Sequence, residues 1–296
     1  MADTINIGNY EVSCFKVGSS DCKIYLGDTL LYPHSTPTVK DYLRFIAKGD
    51  GYFTFFSTGS ASGNSLSYSL DSGTTWNTLV NSGTTPYLDA GDVIMWKGSN
   101  LTIRSGGGIG TFSGTSYFDV EGNIMSLHYG DNFEDKTTLS GVDYAFMNLF
   151  SGCTFVQNAD KLELPATTLS KQCYCNMFIR ASELVTLPSL SAATTLAEGC
   201  CQNMFYASPQ TSALTLTESY FLPAQTLVKD CYRQMFYGRA TFDKITCLAT
   251  SGINTDNSTN NWLTNTSNTG TFTRAHNVTW PSGNSGRKAW TLVNYN

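Results

Sequence analysis

The sequence is poor in charge. Only 14% of its 296 residues are charged, and the formal net charge is −5. There is no block of basic residues to neutralise phosphates, as nucleic-acid binders require. We therefore expect no nucleic acid among the partners. Thr, Ser, Gly and Asn fill the place of the missing charges, and that composition favours strands and turns over surface helices.

Long apolar runs are also missing. No stretch approaches the roughly 20 apolar residues that cross a bilayer. The opening MADTINIGNYEVSCF has neither the positive n-region nor the apolar h-region of a secretory signal. We therefore predict a protein that is made in a cytoplasm and does not insert into a membrane.

The chain lacks the spacing of a metal or catalytic site. Its nine cysteines include no CxxC pair, and His34, His128 and His276 are scattered. The sequence therefore predicts no structural metal, no cofactor and free thiols. No Ser-His-Asp or Cys-His set can be placed, so we predict no catalytic residues and no enzyme. Asp131, Glu134 and Asp135 in GDNFEDK are a possible calcium loop, but without EF-hand spacing a solvated linker is favoured.

What the sequence does contain is a repeat. Its hexamers are AFMNLF (145–150), CYCNMF (173–178), CCQNMF (200–205) and CYRQMF (231–236). Their last phenylalanines lie 28, 27 and 31 residues apart. The motifs LPATTL (164–169), SAATTL (191–196) and LPAQTL (222–227) keep the same phase, 27 and 31 apart. Two motifs in register indicate a solenoid of the leucine-rich class.

Equivalent positions of the repeat form columns with distinct physical roles. We expect the Met-Phe column to form the core, with a short helical turn at each hexamer. The column Cys173, Cys200 and Cys231 should be buried as small hydrophobes rather than as metal ligands. The amide column is expected to bond turn backbones or its own neighbours, and consists of Asn148, Asn176, Asn203 and Gln234.

Residues 37–136 precede the repeat and read as an antiparallel sandwich. Short β-type runs at 44–57, 66–70, 93–98 and 116–122 are separated by Gly, Ser and Asn clusters. SLDSGTTW (69–76) resembles the Asp-box of sialidases, in which Asp71 and Gly73 would shape a turn and Trp76 would pack beneath it. A single box favours a plain turn motif over glycosidase activity.

Both ends of the chain carry apolar segments. KIYLGDTLLYP (23–33) is a strand-and-turn unit too short to bury its apolar side chains alone. We predict that residues 1–36 anchor the chain to another protein through Ile24, Tyr25, Leu26 and Leu30. Residues 250–296 are expected to cap the solenoid, with Trp262, Phe272, Trp280 and Trp290 covering its open end.

FSGCTFVQNADKLELP (150–165) resembles the AFxGCxxLxxIxLP unit of BspA-like leucine-rich repeats, and CYCNMF, CYRQMF and LPATTL resemble a variant of it. This resemblance covers residues 137–250. KIYLGDTLLYP, YSLDSGTTW, GNIMSLHYGDNFED and the tail 261–286 are similar to chains of this type encoded by tailed phages of gut bacteria, crAss-like phages among them. The later units depart from the pattern, with IRAS, YASP and YGRA in place of the family's GC.

The expected fold is mainly β with short helices. It has an N-terminal anchor segment (1–36), a β-sandwich-like region (37–136), a short leucine-rich-repeat solenoid (137–249) and a C-terminal cap (250–296). The resemblance implies a phage virion protein of a tail fibre or other surface appendage, assembled in the host cytoplasm and released by lysis. Its implied partners are other virion proteins, a host cell-surface glycan or protein, and further copies of itself. A capsid-decorating head fibre is the alternative, and a glycan-degrading enzyme a weaker one.

One column suggests a receptor surface. Tyr206 and Tyr237 follow Met-Phe in consecutive units, and rigid aromatic faces suit contacts with sugar or protein. The longer interval at 208–220 lies beside them, and Tyr220 and Phe221 would extend the patch. The alternative, that these rings only pad the edge of the core, is favoured on general grounds.

Overall fold

The computed structural model describes backbone residues 5–7, 10–12, 24–26, 29–32, 40–57, 65–80, 82–98, 103, 106–207, 214–253, 255–280 and 290–295. The chain divides into two compact units, 1–40 and 41–296. The first contains two antiparallel hairpins, formed by β1 (Ile5–Ile7) with β2 (Tyr10–Val12) and β3 (Ile24–Leu26) with β4 (Thr29–Tyr32). The proposed anchor residues lie on β3 and β4. Their side chains, and the residues of 1–36 outside these four strands, lie outside the described part of the chain.

The second unit begins with two antiparallel sheets. Its strands are β5 (Leu43–Ala47), β6 (Phe53–Ser57), β7 (Ser65–Ser69), β8 (Asn77–Val80), β9 (Ser82–Thr84), β10 (Val93–Gly98), β11 (Gly110–Gly114) and β12 (Phe118–Asn123). One sheet has the order β12-β5-β10-β7-β8 and the other β11-β6-β9. The β-type runs read from the sequence coincide with strands in both.

Aromatic rings from the two sheets meet in the interior. Side chains alternate across a strand, so every second residue of β5 is buried. The ring of Phe45 lies 4.9 Å from that of Phe112 and 5.2 Å from that of Phe53, both on the other sheet. Phe118 and Trp96 contact the same ring from within its own sheet, at 5.0 and 5.4 Å.

The first sheet continues into the repeat. The remaining strands are β13 (Val156–Asn158), β14 (Leu162–Glu163), β15 (Tyr220–Leu222), β16 (Lys244–Cys247), β17 (Thr271–Arg274) and β18 (Thr291–Asn294). Strands β13 and β14 pair in parallel with β12. Phe150 of the first hexamer lies 5.8 Å from Phe45. The predicted boundary at 136/137 therefore does not separate compact units, because one sheet and one core pass across it.

The hexamers are not helical, and the expected short helical turns are wrong. Among the described residues the only helices are α1 (Ser126–Tyr129) and a 3-10 turn at Gly130–Asn132, and the structure is mainly β. In the first hexamer the N–H groups of Phe146 and Phe150 donate to Cys173 and Met177 of the next unit, both at 2.8 Å. The N–H of Leu149 donates instead to Phe146, three residues back, at 3.3 Å. Alternate N–H groups thus leave the unit, whereas an α-helix keeps its bonds within itself.

The amide column has a backbone cause. Asn148, Asn176, Asn203 and Gln234 have positive φ angles of 61°, 57°, 53° and 54°. Asparagine tolerates this left-handed region better than most residues. The amides also bond one another as predicted, since Asn203 Nδ2 donates to Asn176 Oδ1 at 3.0 Å.

The predicted core columns are confirmed. Their side chains are completely buried: Met177, Met204, Met235, Phe178, Phe205, Phe236, Cys173, Cys200 and Cys231. Consecutive phenylalanine rings stack, with centroids 5.0 Å apart for Phe150 and Phe178 and 5.9 Å apart for Phe178 and Phe205. Leu139, Leu169, Leu196 and Leu227 are buried as well.

A fifth unit, STNNWL (258–263), follows the four hexamers. Tyr232, Gln234 and Phe236 donate their N–H groups to it at 2.9, 2.9 and 3.0 Å, as each earlier hexamer does to its successor. Strands β15 and β16, which precede this unit, form one parallel sheet with β17 and β18, which follow it. The predicted boundary at 249/250 therefore lies within a continuous structure.

The aromatic residues of the tail are buried beside the fifth unit. Trp262 stacks on Trp280 with ring centroids 5.6 Å apart, and Phe272 lies edge-on to Trp280 at 4.8 Å. Trp290 lies 6.2 Å from Phe242. In the part of the chain that the structure describes, no helix is long and apolar enough to cross a membrane.

Candidate functional site

The tyrosine pair is the part of the predicted contact surface that the structure brings together. The rings of Tyr206 and Tyr237 stack with centroids 4.9 Å apart and an angle of 10° between their planes. Both side chains are half-buried. Asn265 Nδ2 donates to the Tyr237 hydroxyl at 3.2 Å. The pair therefore presents rigid aromatic edges in consecutive units.

Tyr220 does not belong to that surface, and its expected exposure is wrong. Its side chain is 7% exposed, and its hydroxyl donates to the Pro188 carbonyl at 2.8 Å. Burial raises the pKa of this hydroxyl well above its ordinary value. Tyr220 and Phe221 are neighbours on β15, where successive side chains point to opposite faces. Only Phe221 points outward, and its ring lies 6.2 Å from that of Tyr295.

The Asp-box forms a turn between β7 and β8, as the sequence predicts. Asp71 accepts hydrogen bonds from the Thr75 N–H at 2.8 Å and the Thr75 hydroxyl at 2.6 Å. These bonds, with that of Ser69, lower the pKa of Asp71 to about 2. Trp76 Nε1 donates to the Gly73 carbonyl at 3.0 Å, and Gly73 has a φ of 86°. The carboxylate is thus occupied in holding the turn.

The acidic segment GDNFEDK contacts cations of the chain itself. Lys97 Nζ lies 2.8 Å from Asp131 Oδ1, and the Tyr42 hydroxyl donates to the same oxygen at 2.6 Å. Lys136 pairs with Asp135 at 3.0 Å. Among the described residues no group of three or more His, Cys, Asp or Glu side chains is arranged to hold a metal ion.

The stacked thiols are placed for packing. Seven cysteines among the described residues are free and buried: Cys153, Cys173, Cys175, Cys200, Cys201, Cys231 and Cys247. Burial raises the pKa of Cys173, Cys201 and Cys231 well above the ordinary thiol value. It raises the pKa of Cys175 and Cys247 to about 12. A thiolate, the form that reacts and binds metals, is therefore disfavoured here.

A cleft between the third and fourth units was not foreseen from the sequence. At the LPATTL corner, Leu139 donates its N–H to Thr168, Leu169 to Thr195 and Leu227 to Ser251, at 2.9, 2.9 and 3.0 Å. Within the described part of the chain the equivalent bond from Leu196 to Thr226 is absent. The third interval of 31 residues, longer than its neighbours, was the signal in the sequence that could have indicated this break.

The break opens on one side only. On the hexamer side of the same junction, Cys201, Asn203 and Phe205 donate to the fourth unit at 3.0, 2.9 and 2.9 Å. The resulting cleft has a volume of about 440 Å³ and is lined by Thr194, Thr195, Leu196, Pro223, Gln225, Thr226 and Val228.

Comparison with known proteins adds no relative. No family description, curated protein or solved structure matches the chain. The functional reading therefore rests on the residues and on the motif resemblance given above.

Proposed function

We propose that the chain is a non-enzymatic structural protein of a phage virion, part of a tail fibre or other surface appendage that attaches to the host surface. The observation that carries the proposal is the repeat in register, whose motifs resemble those of phage-encoded BspA-like chains. Buried Met, Phe and Cys columns support that register. Homo-oligomeric assembly, usual for such appendages, is part of the proposal.

We further propose that the stacked units form a leucine-rich-repeat solenoid with a sandwich-like region in front and an aromatic cap behind. Backbone bonds that recur with the same offset between each of the five units and the next support this assignment. In a solenoid each unit contacts only its neighbours, so the end of the stack needs a cover. Trp262, Phe272 and Trp280, all buried, have that role in the proposal.

The N-terminal segment is proposed to anchor the chain in the particle. This segment contains the hairpin of β3 and β4, which belongs to a compact unit separate from residues 41–296. Removing residues 1–36 should leave the second unit folded, while the protein fails to enter particles. Normal incorporation of the truncated protein would refute the anchor.

The outward contact surface is proposed to centre on the tyrosine pair. A Tyr206→Ala, Tyr237→Ala double variant should reduce adsorption of assembled particles to host cells. Tyr87→Ala is the control, because that ring is 68% exposed and belongs to a different region. Unchanged adsorption with unchanged thermal stability would remove the pair from the surface. A large loss of stability would indicate instead that the rings only pad the edge of the core.

A further inference from the structure

We propose that the cleft between the third and fourth units binds a neutral sugar. The cleft belongs to the threonine corner of the units and not to the tyrosine pair, and its lining comes from Thr194 to Leu196 and from Pro223, Gln225, Thr226 and Val228. The proposal concerns the purified chain alone and stands whether or not the protein is part of a virion.

The first reason is the interrupted backbone ladder. At three other junctions a leucine N–H meets the carbonyl of the threonine or serine column, but here the Leu196 N–H and the Thr226 carbonyl make no such bond. Backbone groups without a partner in the protein are bonded by water, and a ligand that enters the cleft has to take over those bonds. Because a hydroxyl both donates and accepts, hydroxyls of a single ligand can satisfy both groups.

The second reason is the character of the lining. It contains the hydroxyls of Thr194, Thr195 and Thr226, the amide of Gln225, and the apolar surfaces of Leu196, Pro223 and Val228. The Thr194 hydroxyl donates to the Thr167 carbonyl at 3.3 Å and keeps its capacity to accept, and the Thr226 hydroxyl accepts from Ser251 at 3.0 Å and keeps its capacity to donate. None of these seven residues is charged. A charged ligand would lose hydration without gaining an opposite charge, whereas a sugar ring has hydroxyls at its edge and C–H groups on its faces. A neutral ring therefore matches the lining on both counts.

The third reason is size. A volume of about 440 Å³ lies within the range of small-ligand pockets. The break includes a second row of the corner. Thr194 and Thr195 donate their N–H groups to Thr167, and Thr250 and Ser251 donate theirs to Gln225, but among the described residues Gln225 and Thr226 make no such bond to Thr194. The hexamer side of the junction stays bonded, so the open backbone groups are confined to these two rows. A peptide adding as a strand needs a longer run of open backbone groups than they provide. One or two sugar rings fit the opening better than an extended chain.

The test is ligand-observed NMR on the full chain with a fixed panel. The panel contains glucose, galactose, mannose, N-acetylglucosamine and N-acetylgalactosamine, with galacturonic acid as the charged comparator. At least one neutral sugar should show saturable transfer. Binding should weaken about tenfold in Thr195→Val or Thr226→Val, as expected for a lost hydrogen bond.

Thr168→Val is the matched control. Thr168 occupies the same column as Thr195 but lies at a junction where the ladder is closed. It should bind like the unchanged chain, and thermal melts of all three variants should confirm that they are folded. The proposal is overturned if no neutral sugar on the panel binds, if binding survives both cleft substitutions, or if galacturonic acid binds best. Loss of particle adsorption in the tyrosine variant with sugar binding intact would separate the two surfaces.

Discussion

At the scale of single residues, the amide column shows how sequence and backbone are linked. Asn203 sits at φ 53°, where a Cβ makes ordinary residues unfavourable, and its side chain bonds Asn176. Its neighbour Gln202 is not among the residues with positive φ. The same substitution should therefore have opposite effects at these adjacent positions.

Asn203→Ala should lower the free energy of unfolding by about 1–2 kcal/mol more than Asn203→Gly, because only alanine is strained in the left-handed region. Both variants lose the side-chain amide hydrogen bond, so the difference between their unfolding free energies reports only the backbone strain at position 203. At Gln202 the order should reverse, since glycine there only adds entropy to the unfolded chain. Urea unfolding measures all four variants, and equal stability of the two Asn203 variants would contradict the backbone explanation.

A larger loss of stability is expected from a substitution in the methionine column. Met204 is completely buried. Met204→Ala should lower the free energy of unfolding by about 2–5 kcal/mol, because it leaves a cavity among stacked rings. Tyr87→Ala, at a ring that is 68% exposed, should change it by less than about 0.5 kcal/mol. Denaturant unfolding of both variants is the measurement, and a Met204→Ala protein as stable as the control would show that the register is wrong.

The buried thiols predict a dependence on alkaline pH. Burial raises the pKa of Cys247 from 9.0 to about 12, so the folded state keeps a proton that the unfolded chain releases. This stabilisation is complete below about pH 9 and is lost as pH rises toward the folded pKa. The measurement is the decrease in the free energy of unfolding between about pH 8 and about pH 10. This decrease should be ~1 kcal/mol smaller in Cys247→Ala than in the unchanged chain. Identical pH dependence of the two would contradict the shift.

Among single residues, the sequence predicted the burial of those side chains whose position in the repeat determines it. The burial of Met177, Met204 and Met235 followed from their common column. The burial of Tyr220 did not, because the longer interval at 208–220 predicts a loop there, whereas Tyr220 lies on β15. On a strand, successive side chains point to opposite faces, so an error of one residue in the predicted register moves a side chain from the exposed face to the buried one.

At the scale of elements, local motifs were more predictable than the hexamers. The Asp-box turn could be read because Ser69, Asp71 and Gly73 bond within a few residues of one another. The hexamers were expected to be helical, but their alternate N–H groups bond the next unit about 27 residues away. Because the structure of a hexamer is set by bonds to the next unit, its six residues show neither the hydrophobic period of a helix nor that of a strand.

The fifth unit gives the prediction at this scale. A chain ending at residue 249, where the sequence suggested that the repeat stops, would lose the acceptors of Tyr232, Gln234 and Phe236. It would also uncover the Tyr232 ring, which stacks on Trp262 at 6.1 Å. We expect this truncation to aggregate or to lose its cooperative thermal transition in circular dichroism, whereas removal of residues 1–36 should preserve the transition. A cooperative transition in the chain 1–249 would show that the fifth unit is dispensable.

At the scale of the whole molecule, residues 41–296 form one compact unit. Strand β12 pairs with β5 on one side and with β13 and β14 on the other, so the front sheet and the first unit share a core. The change near residue 136 from β-type runs to the repeat suggested a boundary, yet pairing between distant segments is not visible in a local sequence pattern. The longer third interval indicates that the repeat is irregular there, but the cleft itself depends on how two units fit together, which the interval length does not specify.

The most direct test of the proposed function is the position of the chain in an intact particle. Under the proposal, cryo-electron microscopy of virions of a phage carrying this sequence should show density for residues 41–296 in a surface appendage. Within that density the stacked units should be accessible at the outer surface of the appendage. Density at the capsid surface would support a head fibre instead. Absence of the chain from purified particles would contradict the virion assignment altogether.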